Sequence, residues 1–136
     1  MQKISWHDSF SVGVTKLDEH HQHLAHLINQ LSDCIPCSNQ TEKVVDILSA
    51  LIEYAKYHFR HEEGYLKAHD YPQFEQHRIE HIQFCEVVAE TCYGATIGII
   101  GINDLYNYLS SWWTNHILYE DMLYKPFLEN KVLLGK

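Results

Sequence analysis

The chain has 136 residues, with ten basic against eighteen acidic side chains and a formal charge of −8. That length suits one domain (1–136) with a real core and is too short to expect two, while the acidic balance argues against nucleic acid or an anionic membrane as a partner. No segment approaches the about 18 uninterrupted apolar residues of a membrane helix, and the first ten residues have no extended apolar region, so a soluble, uncleaved cytoplasmic protein is expected.

Four cysteines without a secretory signal suggest reduced thiols. Cys85 and Cys92, if they share a helix, lie about 10 Å apart at Cα, too far to bridge. Cys34-Ile-Pro-Cys37 has the spacing of a redox motif. It falls between two helical patterns rather than beside a βαβ unit, so it reads as a helix end with incidental thiols.

Residues 1–16, with Trp6, Phe10, Val12 and Val14, read as an extended arm, and residues 17–136 as helices. The first helical stripe is Leu17, His21, Leu24, Ile28, Leu31, ending near Pro36. The second starts around Asn39, with Glu42 as a capping partner, and continues through Val44, Leu48, Leu51, Ala55, His58 and Glu62. Asp70-Tyr71-Pro72 breaks the pattern. The third stripe is Phe74, His77, His81, Phe84, Val88.

Gly94, Gly98 and Gly101 mark a loop, with Asn103 as the cap of the next helix. The fourth stripe is Leu105, Leu109, Trp112, His116, and onward to Leu123. Nothing reads as a strand, since the β-branched run from Thr96 to Ile102 is interrupted by glycines. The expected fold is all-α, an up-down-up-down four-helix bundle with an extended N-terminal arm.

Seven side chains of the metal-binding kind share these inward stripes: His21, His58, Glu62, His77, His81, His116 and Asp121. Burying one unpartnered polar group costs roughly 2–7 kcal/mol, and an ion far more. A whole layer of them is hard to satisfy except by coordination, which turns the lone pairs of imidazole and carboxylate into bonds. Residues four apart lie on one helix face, so His58 with Glu62, and His77 with His81, can each present two ligand atoms. His116 and Asp121 are five apart, about 140° round an ideal helix. Either Asp121 reaches sideways, or the turn is widened into a π-bulge.

These residues resemble a known family. Trp6 with Val12-Gly13-Val14, Leu17-Asp18, His21 and Leu27-Ile28-Asn29 resemble the arm and first helix of the hemerythrins, in particular the single-domain bacterial ones. His58-Phe59-Arg60-His61-Glu62-Glu63 is similar to their second-helix motif, Tyr71-Pro72 with His77 and His81 to their third, and Trp112, Asn115-His116-Ile117 and Asp121 to their fourth. The resemblance covers almost the whole chain.

It implies two non-haem iron ions, bridged by carboxylate and by an oxo or hydroxo group, that bind dioxygen reversibly. His77, His81 and His116 would sit on one iron and His21 and His58 on the other, with Glu62 and Asp121 bridging. If each iron takes about six ligands, these groups and the bridge leave about one position of twelve for dioxygen.

Leu66, Trp112, Trp113 and Ile117 are the candidates for the dioxygen pocket. Leu66 stands where the family usually has methionine, a volume-conserving change. Trp113 stands where a pocket leucine is common. Its indole either gates the pocket and offers an N–H near bound oxygen, or turns into the helix interface and fills space. The other histidines, at 7, 20, 23, 26, 61 and 69, do not follow the motif, and the offsets of His20, His23 and His61 favour surface positions.

The leading function is thus a dioxygen carrier, store or sensor. The main rival is a di-iron enzyme reducing peroxide or nitric oxide, which could share every ligand. A third reading is a structural module that binds iron or zinc only to fold. Zinc usually takes four ligands rather than two metals sharing seven, and ferritin-like oxidases use more carboxylates. Dioxygen is the expected partner; the sequence points to no protein partner.

Overall fold

The computed structural model describes residues 3–34, 41–96 and 101–134. Helix α1 spans Thr15–Ser32, α2 Thr41–Ala68, α3 Phe74–Thr96 and α4 Ile102–Asn115; a π-helical turn, His116–Asp121, leads directly into α5, Met122–Leu134. The π turn and α5 continue α4, so the chain forms four helical rods. Rod one packs on rods two and four, and rod three on rods two and four, closing the ring of a four-helix bundle. No strand occurs among the described residues, and no described helix is long and apolar enough to cross a membrane.

Residues 3–14 form the arm, which carries a short 3₁₀ turn at Asp8–Phe10. Asn29 clamps its start by accepting from the Ile4 N–H at 2.8 Å and donating to the Ile4 carbonyl at 2.9 Å. Gly13, at φ +82°, makes the turn into α1, a conformation that side chains rarely adopt. Asp18 then ties the turn to the first helical turn: it accepts from the Ser11 hydroxyl at 2.6 Å and the Val12 N–H at 2.9 Å. Its negative charge there also favours the helix N-terminus. The helix therefore starts two residues before the expected Leu17.

Helix α2 closes with a Schellman motif. Asp70 adopts φ +57°, the Tyr71 N–H reaches back to the Leu66 carbonyl and the Asp70 N–H to that of Lys67. Tyr71 and Leu66 both lie in one apolar cluster, the contact that usually accompanies this motif. The break expected at Asp70-Tyr71-Pro72 is where the chain turns.

Two other boundaries differ from expectation. Helix α3 runs through Gly94, which is buried inside it rather than opening a loop. Asn103 does not cap α4; Gly101, in extended conformation, precedes the helix, and Asn103 is already within it. The expectations at Pro36, Cys37, Asn39 and Gly98 lie outside the described residues.

The core is two apolar clusters with a polar layer between them. On α1, Leu17 belongs to one cluster, Leu24 to the other, and His21 separates them. The order is reversed on α2, with Phe59, Glu62, Leu66, and on the fourth rod, with Ile117, Asp121, Tyr124, as antiparallel neighbours of α1 require.

Trp113 links arm and bundle. It is almost fully buried, meets Phe10 and Trp6 edge-on at 5.0 and 6.4 Å between ring centres, and donates its indole N–H to the His21 carbonyl at 2.9 Å. Trp113→Phe removes that bond while keeping most of the packing. It is expected to destabilise the fold by about 1–3 kcal/mol, read as a lower urea midpoint at unchanged slope.

Candidate metal centre

The structure brings all seven expected ligands into the polar layer, each at most 6 % exposed. Their ligand atoms fall in two groups, Glu62, His77, His81, His116 and Asp121 in one and His21, His58 and Glu62 in the other, with the atoms of each group within 4.8 Å of one another. Every imidazole presents Nε2. Glu62 Oε1 lies 2.7 Å from His77 and 3.1 Å from His81, while Oε2 lies 3.5 Å from both His21 and His58. Asp121 Oδ1 lies 3.1 Å from His77 and 3.0 Å from His116, and Oδ2 lies 3.1 Å from His21. Each carboxylate thus turns one oxygen to a three-histidine side and the other to a two-histidine side.

Local structure explains the aim. The i, i+4 spacing of His58 and Glu62, and of His77 and His81, puts each pair on one face. His116 and Asp121 are the ends of the π-helical turn, whose wider winding brings residues five apart onto one side. Of the two ways open to Asp121, the chain takes the widened turn.

Other side chains fix the rings and carboxylates. Glu63 Oε2 is 2.8 Å from His81 Nδ1, and the Tyr124 hydroxyl donates to Glu62 Oε2 at 2.9 Å. Phe59 stacks on His81 at 3.9 Å and Trp112 on His116 at 4.5 Å. The motif spacing names none of Glu63, Tyr124 or Phe59 as a partner; the signal present was only their place one turn from, or beside, a ligand.

Charge in the layer is balanced by protons. Burial would push both carboxylates up, as would the Glu62 charge for Asp121, but the imidazoles prevail and hold both well below the usual carboxylate range. Burial would lower His21 and His77, but Asp121 and Glu62 outweigh it and push them up to about 9 and about 10. His58 goes the other way, lowered by burial to about 3. Without metal, the two carboxylates draw protons onto His21 and His77, charge that cations would otherwise supply.

The donor set fits metal ions better than it fits itself. Although these atoms lie 3.0–3.5 Å apart, Nε2 of His21, His81 and His116 and both Asp121 oxygens make no aligned hydrogen bond. Buried polar atoms converging without pairing are the arrangement that coordination satisfies.

The pocket candidates divide. Trp112 and Trp113 line a small apolar cavity of about 10 Å³ with Leu24, Ile28, Phe59 and Phe84. Ile117 is buried in the same cluster. Leu66 is not with them: it packs with Leu17, Tyr71 and Tyr124 across the polar layer, because it lies one turn beyond Glu62 on the side away from Phe59. Trp113 offers no N–H to a ligand, since that proton is held by the His21 carbonyl. The ring fills the interface between arm and helix and also forms part of the cavity wall.

Of the histidines outside the motif, His7, His23, His26 and His61 are exposed and His69 is half-buried against Tyr65. His20 departs from its expected surface position. It is 2 % exposed, shielded by Tyr54 and Tyr57, and its Nδ1 lies 3.0 Å from His58 Nδ1. Burial, then the charge of His61, lowers its pKa.

The family model for the hemerythrin HHE cation binding domain matches residues 12–128. A bacteriohemerythrin of Methylococcus capsulatus is 31 % identical over 120 residues, covering 88 % of this chain and 91 % of its own. A bacteriohemerythrin of Clostridium acetobutylicum is 29 % identical over 88 % of this chain and 96 % of its own, and a myohemerythrin of Theromyzon tessulatum is 32 % identical over 91 % and 92 %. Among solved structures, wild-type hemerythrin superposes with a TM-score of 0.82 at 27 % identity, over 90 % of this chain and 95 % of its own. The seven-residue layer, the bundle that carries it and these matches agree that the chain belongs to the hemerythrin family.

Proposed function

We propose that the protein binds dioxygen reversibly at a di-iron centre, as a carrier, store or sensor. His77, His81 and His116 would hold one iron and His21 and His58 the other, with Glu62 and Asp121 each offering an oxygen to both groups. The observation that carries this reading is the division of each carboxylate's oxygens between the two histidine groups. A single ion would not call for it. Bound ferrous iron supplies the electrons that dioxygen takes up and returns on release.

The chain's own residues hold and dry the site. Five neutral imidazoles and two carboxylates bind; Tyr124 steadies Glu62 and Glu63 orients His81. Trp112, Trp113, Ile117 and Phe59 exclude water on the side of the small apolar cavity, where a diatomic gas is tolerated better than a polar molecule. The free thiols at Cys34 and Cys85 suit a cytoplasmic setting.

One observation favours the rival reading, a di-iron enzyme reducing peroxide or nitric oxide. A groove of about 510 Å³ between α3 and the fourth rod, lined by Glu80, Tyr108, Trp112, His116 and Glu120, brings solvent to the outer edge of a ligand histidine.

Protein loaded anaerobically should hold about two ferrous ions per chain and gain a visible absorption band on exposure to dioxygen that disappears when the gas is removed. One-way conversion to a stable ferric product would instead support the enzyme.

Glu62→Ala removes an oxygen donor from both histidine groups and is expected to lower iron content on both, counted per chain by elemental analysis. At pH 7, His21 and His77 lie below their raised pKa values and carry protons that coordination must displace. Metal uptake should therefore release protons, detected with a pH indicator in weak buffer. Affinity should weaken as pH falls.

A further inference from the structure

We propose that His20 is a positioning residue: its Nδ1 accepts the Nδ1 proton of His58 and thereby fixes the tautomer that turns the His58 Nε2 lone pair toward the metal centre. The inference rests on the di-iron reading above and concerns its two-histidine half.

Two ring nitrogens 3.0 Å apart and buried must share one proton as donor and acceptor. If His20 were the donor, the remaining proton of His58 would sit on Nε2, the atom that faces Glu62 Oε2 at 3.5 Å, and coordination there would be blocked. Only the opposite assignment leaves Nε2 free to bind. Among the described residues His20 is the hydrogen-bond partner of His58 Nδ1, and the same assignment places the proton of His20 on its own buried Nε2.

The ring of His20 is held where it can act. Tyr54, Tyr57, His58 and His61 surround it at 5.0 to 5.8 Å between ring centres, and three of the four meet it near edge-on, at 69° to 86°. A space-filling residue needs no such nitrogen alignment.

The two halves of the centre are backed differently. On the three-histidine side, His81 Nδ1 meets the Glu63 carboxylate at 2.8 Å; on the two-histidine side, His58 meets a neutral imidazole. Hydrogen bonds to an ionised acceptor are roughly twice as strong as neutral ones, so the two-histidine half starts with the weaker backing, and loss of His20 falls on that half alone.

The test is an anaerobic ferrous-iron titration with chelator competition. Fewer than two irons in the unaltered chain would overturn the di-iron reading, and this inference with it, before any substitution is made. His20→Phe, which keeps a ring but no acceptor, should retain one tight iron and weaken the other by about 10–100-fold. His20→Asn, whose amide oxygen falls near the place of Nδ1, should restore it, and His26→Ala, at an exposed histidine of the same helix, should change nothing. Far-UV circular dichroism of the metal-free proteins checks folding; should the phenylalanine variant not fold, His20→Leu takes its place beside His20→Asn. Two irons at unaltered affinity in the apolar variant would overturn the proposal. So would equal loss in the apolar and asparagine variants, the mark of a residue that only fills space.

Discussion

Glu62 and Asp121 are fully buried, and neither stays ionised there without the imidazoles that crowd around them. That mutual dependence organises the bundle. The polar layer divides the apolar core in two, so each helix must change from one cluster to the other at the level of its ligands. A helix slipped along its axis by one turn would place a charged group in an apolar cluster and an apolar group in the layer. The layer therefore fixes register as well as chemistry.

Backbone departures from ideal helix do the aiming. A regular α-helix would turn Asp121 about 140° from His116, and one carboxylate could then not serve both histidine groups. The π-helical turn gives up regular hydrogen bonding over six residues to bring both onto one side. At the other end of the layer, Asp70 takes a left-handed conformation that, after glycine, asparagine and aspartate adopt most readily. The turn it permits lets α3 start at Phe74, so that His77 and His81 come level with Glu62.

Much of this was legible because the ligands obey helical periodicity together with the leucines and phenylalanines around them. His58 and Glu62 share a stripe with Leu51 and Ala55, and no structure is needed to see that they point the same way. The failures have physical causes. Gly94 reads as a breaker by residue type, yet glycine inside a helix costs only about 1 kcal/mol relative to alanine, which tertiary packing on a buried residue can override. Asn103 looked like a cap, but the chain enters α4 two residues earlier, from an extended Gly101. His20 precedes a ligand by one residue, about 100° round the helix, and periodicity alone assigns that direction to solvent. What buries it is the pair of tyrosines on α2, a contact between helices that no single-helix pattern contains.

The same limit applies to Trp113, and it shows how far the site extends. The ring sits next to the apolar cavity, yet its polar edge is committed to the backbone of α1 and its faces to Trp6 and Phe10 of the arm. Because the carbonyl it grips belongs to His21, the arm, the fourth rod and a ligand-bearing turn of α1 form one packed unit. Dryness on this side is then a property of that unit rather than of a single gate. Removing Asn29's clamp on Ile4 would loosen the arm, and with it the wall behind Trp113, without touching any ligand. Interiors packed to crystal-like density transmit such changes rather than absorbing them, so residues far from the metal layer help decide how easily water reaches it.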